Sequence, residues 1–258
     1  MTTRVDLSMI RAVAFDAYGT LFRTETAPNY WYAREIIERQ GLDADADALE
    51  QAIRDAWPLA VTAGMASLSS DQPLDPAVEL DRQLNGPVPE WRSAWDIWQR
   101  QYAAAFRHQG VAGDSDDAAN YLREVLARLE VYPDADATLI RLDASGLLLG
   151  LLSNADEDFL QRALSRARLG FSVIQSSESL RVYKPHRGAF LGLCSRLGCE
   201  PHEVLYAGDS ATADVMGARN AGLHTVWVQR EWSVWPEGLR PADLHVTTLS
   251  EIADALGL

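Results

Sequence analysis

A doubly wound α/β fold with a parallel sheet and an inserted helical region is predicted by three observations. Short apolar runs end abruptly at turn or polar residues. Helical patterns separate the later runs. One long stretch between the first two runs reads as helix after helix. A continuous apolar run closed by turn residues suits a strand buried on both faces. The first covers residues 12–15 and ends at Asp16. The second covers 147–152 and ends at Ser153-Asn154. A weaker one covers 171–175. The next, 204–207, ends at Gly208-Asp209, and the last covers 225–228.

Residues 156–168, 187–197 and 212–221 read as the intervening helices, the last stopped by Gly222. Strands alternating with helices make parallel βαβ units. Ligands of such sheets bind beyond the carboxyl ends of the strands. Asp16, Ser153 and Asp209 all follow strand ends, so three motifs are expected on one rim.

Residues 24–131 carry helical patterns at 30–40, 47–57, 90–108 and 116–129, with a loop-rich, proline-containing piece from Pro58 to Pro89. The expected division is a core of 1–23 and 132–258 with a cap of 24–131. Trp31, Trp57, Trp91, Trp95 and Trp98 all fall in the cap, where helix packing is their expected role. A cap over strand ends excludes water and selects substrates.

The 258 residues bury a full core, and 47% of them are hydrophobic. A formal net charge of −14 argues against nucleic-acid binding, which needs clustered Lys and Arg. No apolar run approaches the ~20 residues of a membrane helix. The segment from Met1 to Arg11 is polar, so a cytoplasmic location without membrane contact is expected. Cys194 and Cys199 lack zinc-ligand spacing and read as two reduced thiols. None of the five histidines has ligand spacing; His186 could edge the site but suits a helix start better.

Four motifs carry the chemistry. Asp16-Ala17-Tyr18-Gly19-Thr20 puts a carboxylate past the first strand, with a glycine for a tight turn. Ser153-Asn154 offers a hydroxyl and an amide to a substrate oxygen. Lys184-Pro185 offers a cation. Asp209, with Asp214 five residues on, offers oxygen ligands to a hard cation.

Together, in this order, they resemble the haloacid dehalogenase superfamily, over about residues 10–23 and 132–230 and in the placement of the cap. The resemblance implies a Rossmann-like core and a hydrolase with Asp16 as nucleophile. Ser153 and Asn154 would hold the transferring group, with Thr20 also toward the substrate. Lys184 would neutralise charge. Asp16, Asp209 and the Tyr18 carbonyl would bind magnesium in the phosphatase branch, with Asp214 supporting the metal or Lys184.

Two departures point in opposite directions. Superfamily phosphatases carry an aspartate where Tyr18 stands, to protonate the leaving alcohol. A phenol with a pKa of about 10 is a poor acid at neutral pH, and losing a general acid costs ~10²–10⁴-fold in rate. Asp-x-Tyr-Gly-Thr instead resembles the 2-haloacid dehalogenases, which use no metal and expel halide. That branch, however, has serine where Asp209 stands and asparagine where Ala211 stands. Without a metal, two carboxylates ~4 Å apart cost ~4 kcal/mol at an effective dielectric of 20.

The favoured expectation is therefore a magnesium-dependent phosphatase on a small anionic metabolite. A metal-free dehalogenase comes second and an inactive binding protein third. A dehalogenase would place a cap arginine at the site, and Arg54 is the candidate. The oligomeric expectation is a monomer or a homodimer.

Overall fold

The computed structural model describes residues 7–24, 31–62, 76–230 and 234–258, without the side chains of 57–62 and 76–78. The Trp57 side chain, the helix start at Tyr30, Met1 to Asp6 and part of the Pro58–Pro89 piece lie outside the described residues.

The sheet holds β1 (Ala12–Phe15), β2 (Leu148–Ser153), β3 (Val173–Ser176), β4 (Val204–Gly208), β5 (His224–Val228) and β6 (Leu244–Val246). Every pairing is parallel, in the order β3-β2-β1-β4-β5-β6. This is the Rossmann-like doubly wound arrangement, and its order reverses between β1 and β4. β1 is central and wholly buried. Its side chains alternate between two cores. Val13 and Phe15 pack with Leu139, Leu142 and Phe159 on one face. Ala12 and Ala14 pack with Phe190, Leu193 and Tyr206 on the other.

Between β1 and β2 lie α1 (Ala33–Gln40), α2 (Ala46–Thr62), α3 (Pro76–Asn85), α4 (Ala94–Gln109) and α5 (Ser115–Leu126). The ends of this insert meet at an antiparallel bridge between Phe22 and Val131. There the Arg23 amide donates to the Glu130 carbonyl at 2.8 Å. The insert thus leaves and re-enters the core beside the end of β1.

The core continues with α6 (Ala135–Ala144), α7 (Glu157–Ala167), α8 (Ser177–Leu180), α9 (Arg187–Leu197), α10 (Gly217–Asn220) and α11 (Ser250–Ala255). Three features depart from the sequence expectation. α3 occupies part of the piece read as loop, and α2 extends into it to Thr62. α6 escapes its pattern because Ile140, 61% exposed, breaks its apolar stripe. β6 is only three residues long, too short for a periodic signal. Cys194 and Cys199 are free and buried, as expected.

Candidate active site

The switch point brings the motifs together. Phe15 pairs with Ala207, so the chain past β1 and the chain past β4 emerge side by side. The Asp16 amide donates to the Ala207 carbonyl at 2.9 Å. Gly19 has φ +91, and a Cβ there would meet an Asp209 carboxylate oxygen at 2.6 Å. Only glycine allows the loop after β1 to approach Asp209 this closely.

One oxygen from each of Asp16, Asp209 and Asp214 lies within 4.8 Å of the others. Lys184 stands among them. Its Nζ donates to Asp16 Oδ1 at 2.6 Å, to Asp214 Oδ1 at 2.7 Å and to the Tyr206 hydroxyl at 3.0 Å. An ammonium has three donors, so Lys184 is saturated by the protein itself. Burial works against its charge, but Asp16 and Asp214 overcome this and hold its pKa well above the usual lysine value.

Asp214 lies in a π-helical turn, Ala211–Met216, opened by Ser210. Its second oxygen accepts the Ser210 amide at 3.0 Å. Burial, outweighing the Lys184 charge, raises the Asp16 pKa to about 6. Burial and the charges of Asp16 and Asp214 push Asp209 to about 8. A site with three carboxylates and one ammonium thus lacks positive charge.

These groups floor a cavity of about 370 Å³ that Tyr18 and Ser153 also line. Tyr18 packs between Phe22 and Phe159, with ring centroids 5.6 and 5.8 Å away. Its hydroxyl is buried with no hydrogen-bond partner among the described residues. Burial, helped by the Asp16 charge, holds its pKa well above the ordinary 10. The tyrosine is thus a worse proton donor than an exposed phenol.

The structure places three of the expected residues as follows. Arg54 does not line the cavity; its side chain is 46% exposed and pairs with Glu50 at 3.4 Å. Thr20 is fully buried beneath the site, and its hydroxyl donates to Asp209 Oδ1 at 3.1 Å, so it supports that carboxylate. Asn154 lines the cavity, but its amide clasps the Lys184 backbone, donating to the carbonyl at 3.0 Å and accepting from the amide at 2.8 Å. Its visible task is to hold the lysine loop. His186 caps α9 and takes no part in the cavity.

Sequence reasoning missed the roof of the cavity. Trp31, Tyr32 and Trp98 of the insert line it, with Phe159 of α7. Glu50 is 4% exposed, and both its oxygens accept the Trp31 amide, at 3.1 and 3.2 Å. Tyr102 donates to the Trp31 carbonyl at 2.8 Å. Trp31 is therefore pinned on both sides of its backbone. A tryptophan that packs and one that lines a cavity look alike in sequence.

A carboxylate-rich site at the switch point of a Rossmann-like sheet, roofed by an inserted set of helices, defines a class of α/β hydrolase. Residues 10–222 match the family of haloacid dehalogenase-like hydrolases, and the chain belongs to it. It is 25% identical to (S)-2-haloacid dehalogenase 4A of Burkholderia cepacia, over 94% of this chain and 93% of that one. It is 36% identical to the phosphoserine phosphatase of Thermus thermophilus, over 55% of this chain and 57% of that one. A solved dehalogenase structure superposes with a TM-score of 0.67 at 25% identity, covering 95% of this chain and 96% of the other. The protein is a hydrolase whose relatives include both branches. No helix among the described residues is long and apolar enough to cross a membrane.

Proposed function

We propose that the protein is a magnesium-dependent phosphatase acting on a small phosphate ester, with residues 24–131 serving as its cap. One observation carries this reading. Among the described residues lining the cavity, Lys184 is the only cation, and its three donors are already taken by Asp16, Asp214 and Tyr206. An anionic substrate entering a carboxylate-rich site needs further positive charge. Oxygen-only donors within 4.8 Å suit a hard divalent cation. Asp16, Asp209 and the Tyr18 carbonyl would hold magnesium, which supplies positive charge against the phosphoryl oxygens.

The protein groups divide the remaining work. Asp16 attacks phosphorus as a carboxylate, oriented by its contact with Lys184. Lys184 keeps Asp16 ionised and balances the charge of Asp214. Asn154 fixes the lysine loop, and Thr20 fixes Asp209. The Ser153 hydroxyl makes no hydrogen bond to a described residue and is free to donate to a phosphoryl oxygen. Water then attacks the aspartyl phosphate, releasing phosphate and restoring Asp16.

A 2-haloacid dehalogenase is the second reading. It is supported by Tyr18 and by relatives of that activity matching over nearly the whole chain. Against it stand Asp209 in the cavity and Arg54 outside it. The test is turnover of p-nitrophenyl phosphate and of L-2-chloropropionate, each with magnesium and with chelator. Magnesium-dependent phosphate release is expected. Halide release that survives chelation would overturn the phosphatase reading.

A further inference from the structure

We infer that the substrate's leaving group is an uncharged aromatic alcohol, so that the site takes aryl phosphate monoesters. The inference rests on the phosphatase reading and deepens it. The floor of the cavity is charged, whereas the roof is not: Trp31, Tyr32, Trp98, Leu122 and Leu126 come from the insert and Phe159 from α7. No described residue of this roof carries a carboxylic acid, an imidazole or an amine. An aromatic run joins floor to roof, from Tyr18 to Phe159 at 5.8 Å and from Phe159 to Trp98 at 5.4 Å. It begins two residues after the nucleophile. A group on phosphorus that points away from Asp16 therefore meets ring surface, and planar rings favour tilted or offset contacts of this kind.

The composition of the roof also constrains the chemistry. A leaving group there finds no described acid to protonate it, so it must depart as a stable anion. A phenol ionises with a pKa of about 10, whereas an aliphatic alcohol lies nearer the value of water, about 15.7. In the first step an Asp16 oxygen bonds to phosphorus. The bond from phosphorus to the aryl oxygen breaks, and its electron pair leaves on the phenolate, which takes a proton from solvent after release. In the second step water bonds to phosphorus and loses one proton to solvent, the bond from phosphorus to the Asp16 oxygen breaks with its electron pair returning to the carboxylate, and inorganic phosphate leaves. A charged alkyl group would meet no opposite charge among the described roof residues, and burying an unpaired charge is costly. Trp31, held through its amide and its carbonyl, gives the roof a fixed shape.

The test uses the full chain with magnesium. Phenyl phosphate, glycerol 1-phosphate and acetyl phosphate are compared as substrates. Binding of phenylphosphonate and methylphosphonate is compared by calorimetry, which does not depend on turnover. Phenyl phosphate is expected to exceed glycerol 1-phosphate in kcat/KM by about 10²-fold or more, the usual worth of a general acid. Phenylphosphonate is expected to bind about ten-fold or more tightly than methylphosphonate, from the ring surface buried. Equal turnover of the two esters, equal binding of the two phosphonates, or turnover of acetyl phosphate alone would overturn the aryl inference and leave a phosphatase. Silence with all three phosphates would overturn the phosphatase reading itself.

Discussion

Asp156 of the core caps a helix of the insert: its Oδ1 accepts the Ala94 amide at 2.7 Å and its Oδ2 accepts the Trp95 amide at 3.0 Å. Ser93 accepts the Asp96 amide at 3.0 Å, so the first three N–H groups of α4 are all satisfied. Asp156 precedes α7, yet gives α7 no side-chain cap. The carboxylate is spent across the boundary, on the positive end of a neighbouring helix. Tyr183 reinforces the contact by donating to the Arg92 carbonyl at 2.8 Å. Asp156→Ala should cost about 1–2 kcal/mol, the worth of a lost cap. Hydrogen exchange at the Ala94 and Trp95 amides should rise well above that at β1. Unchanged protection at these two amides would show that α4 stays docked without Asp156.

Lys184 is 5% exposed and is shared by two buried carboxylates. Lys184→Met removes the charge that both require. Breaking a buried ion pair from one side costs about 3–5 kcal/mol. Urea denaturation should show a loss of that size, and turnover should fall to background. Lys184→Arg should not restore turnover, because the planar guanidinium cannot reproduce three donors radiating from one nitrogen. A variant at position 184 with native stability would contradict the ion-pair account.

Tyr18→Phe should separate stability from activity. The hydroxyl is buried and unpartnered among the described residues, so its loss removes an uncompensated desolvation cost of about 1 kcal/mol. In a chain of this size that is a rise in Tm of about 2–4 °C. Because Tyr18 lines the cavity two residues from Asp16, kcat should fall in the same variant. Calorimetric melting and steady-state kinetics on one preparation check both signs.

The metal-free protein should lose stability as pH rises. Asp16 at about 6 and Asp209 at about 8 both lie above the ordinary carboxylate value of 3.8. The folded chain therefore binds more protons than the unfolded chain between pH 4 and 8. Stability present at pH 4 is lost as pH climbs through 6 and then 8. Melting in chelator should give a lower Tm at pH 8 than at pH 5. Added magnesium should raise the Tm most at pH 8, where both carboxylates would otherwise be charged together. A flat profile in chelator would mean that neither carboxylate is perturbed.

The central strands and the charged floor were legible in the sequence for one shared reason. A strand buried on both faces must be a continuous apolar run, and residues 12–15 and 204–207 are such runs. Their ends then locate Asp16 and Asp209 without further information. Asp214 belongs to the motif of Asp209, whereas Lys184 sits in a Lys-Pro pair of its own, and only the family resemblance singled it out. What could not be read is where a polar side chain spends its bonds. Thr20 and Asn154 lie where a substrate contact was expected, and each turns to a protein partner. Arg54 depended on the azimuth of one cap helix, and Glu50 one turn earlier pairs with it. The aromatic roof was hidden because Trp31 and Trp98 are as buried as core residues, at 8% and 7%. β6 and α6 failed for shortness and for an exposed isoleucine.

The register of β1 has a consequence for how the protein comes into being. Ala12 pairs with Leu148 on one side and with Val204 on the other. During synthesis Asp16 is therefore made before β2 and β4, and the strand that places Asp209 beside it arrives last of the three. Domains generally fold as units as they are synthesised, and β1 lacks one of its two pairing partners until β4 is made. A nascent chain halted before β4 would carry Asp16 but neither Asp209 nor Asp214. The three carboxylates thus cannot meet until β4 and the turn after it have been made, so their cluster forms only as the sheet closes.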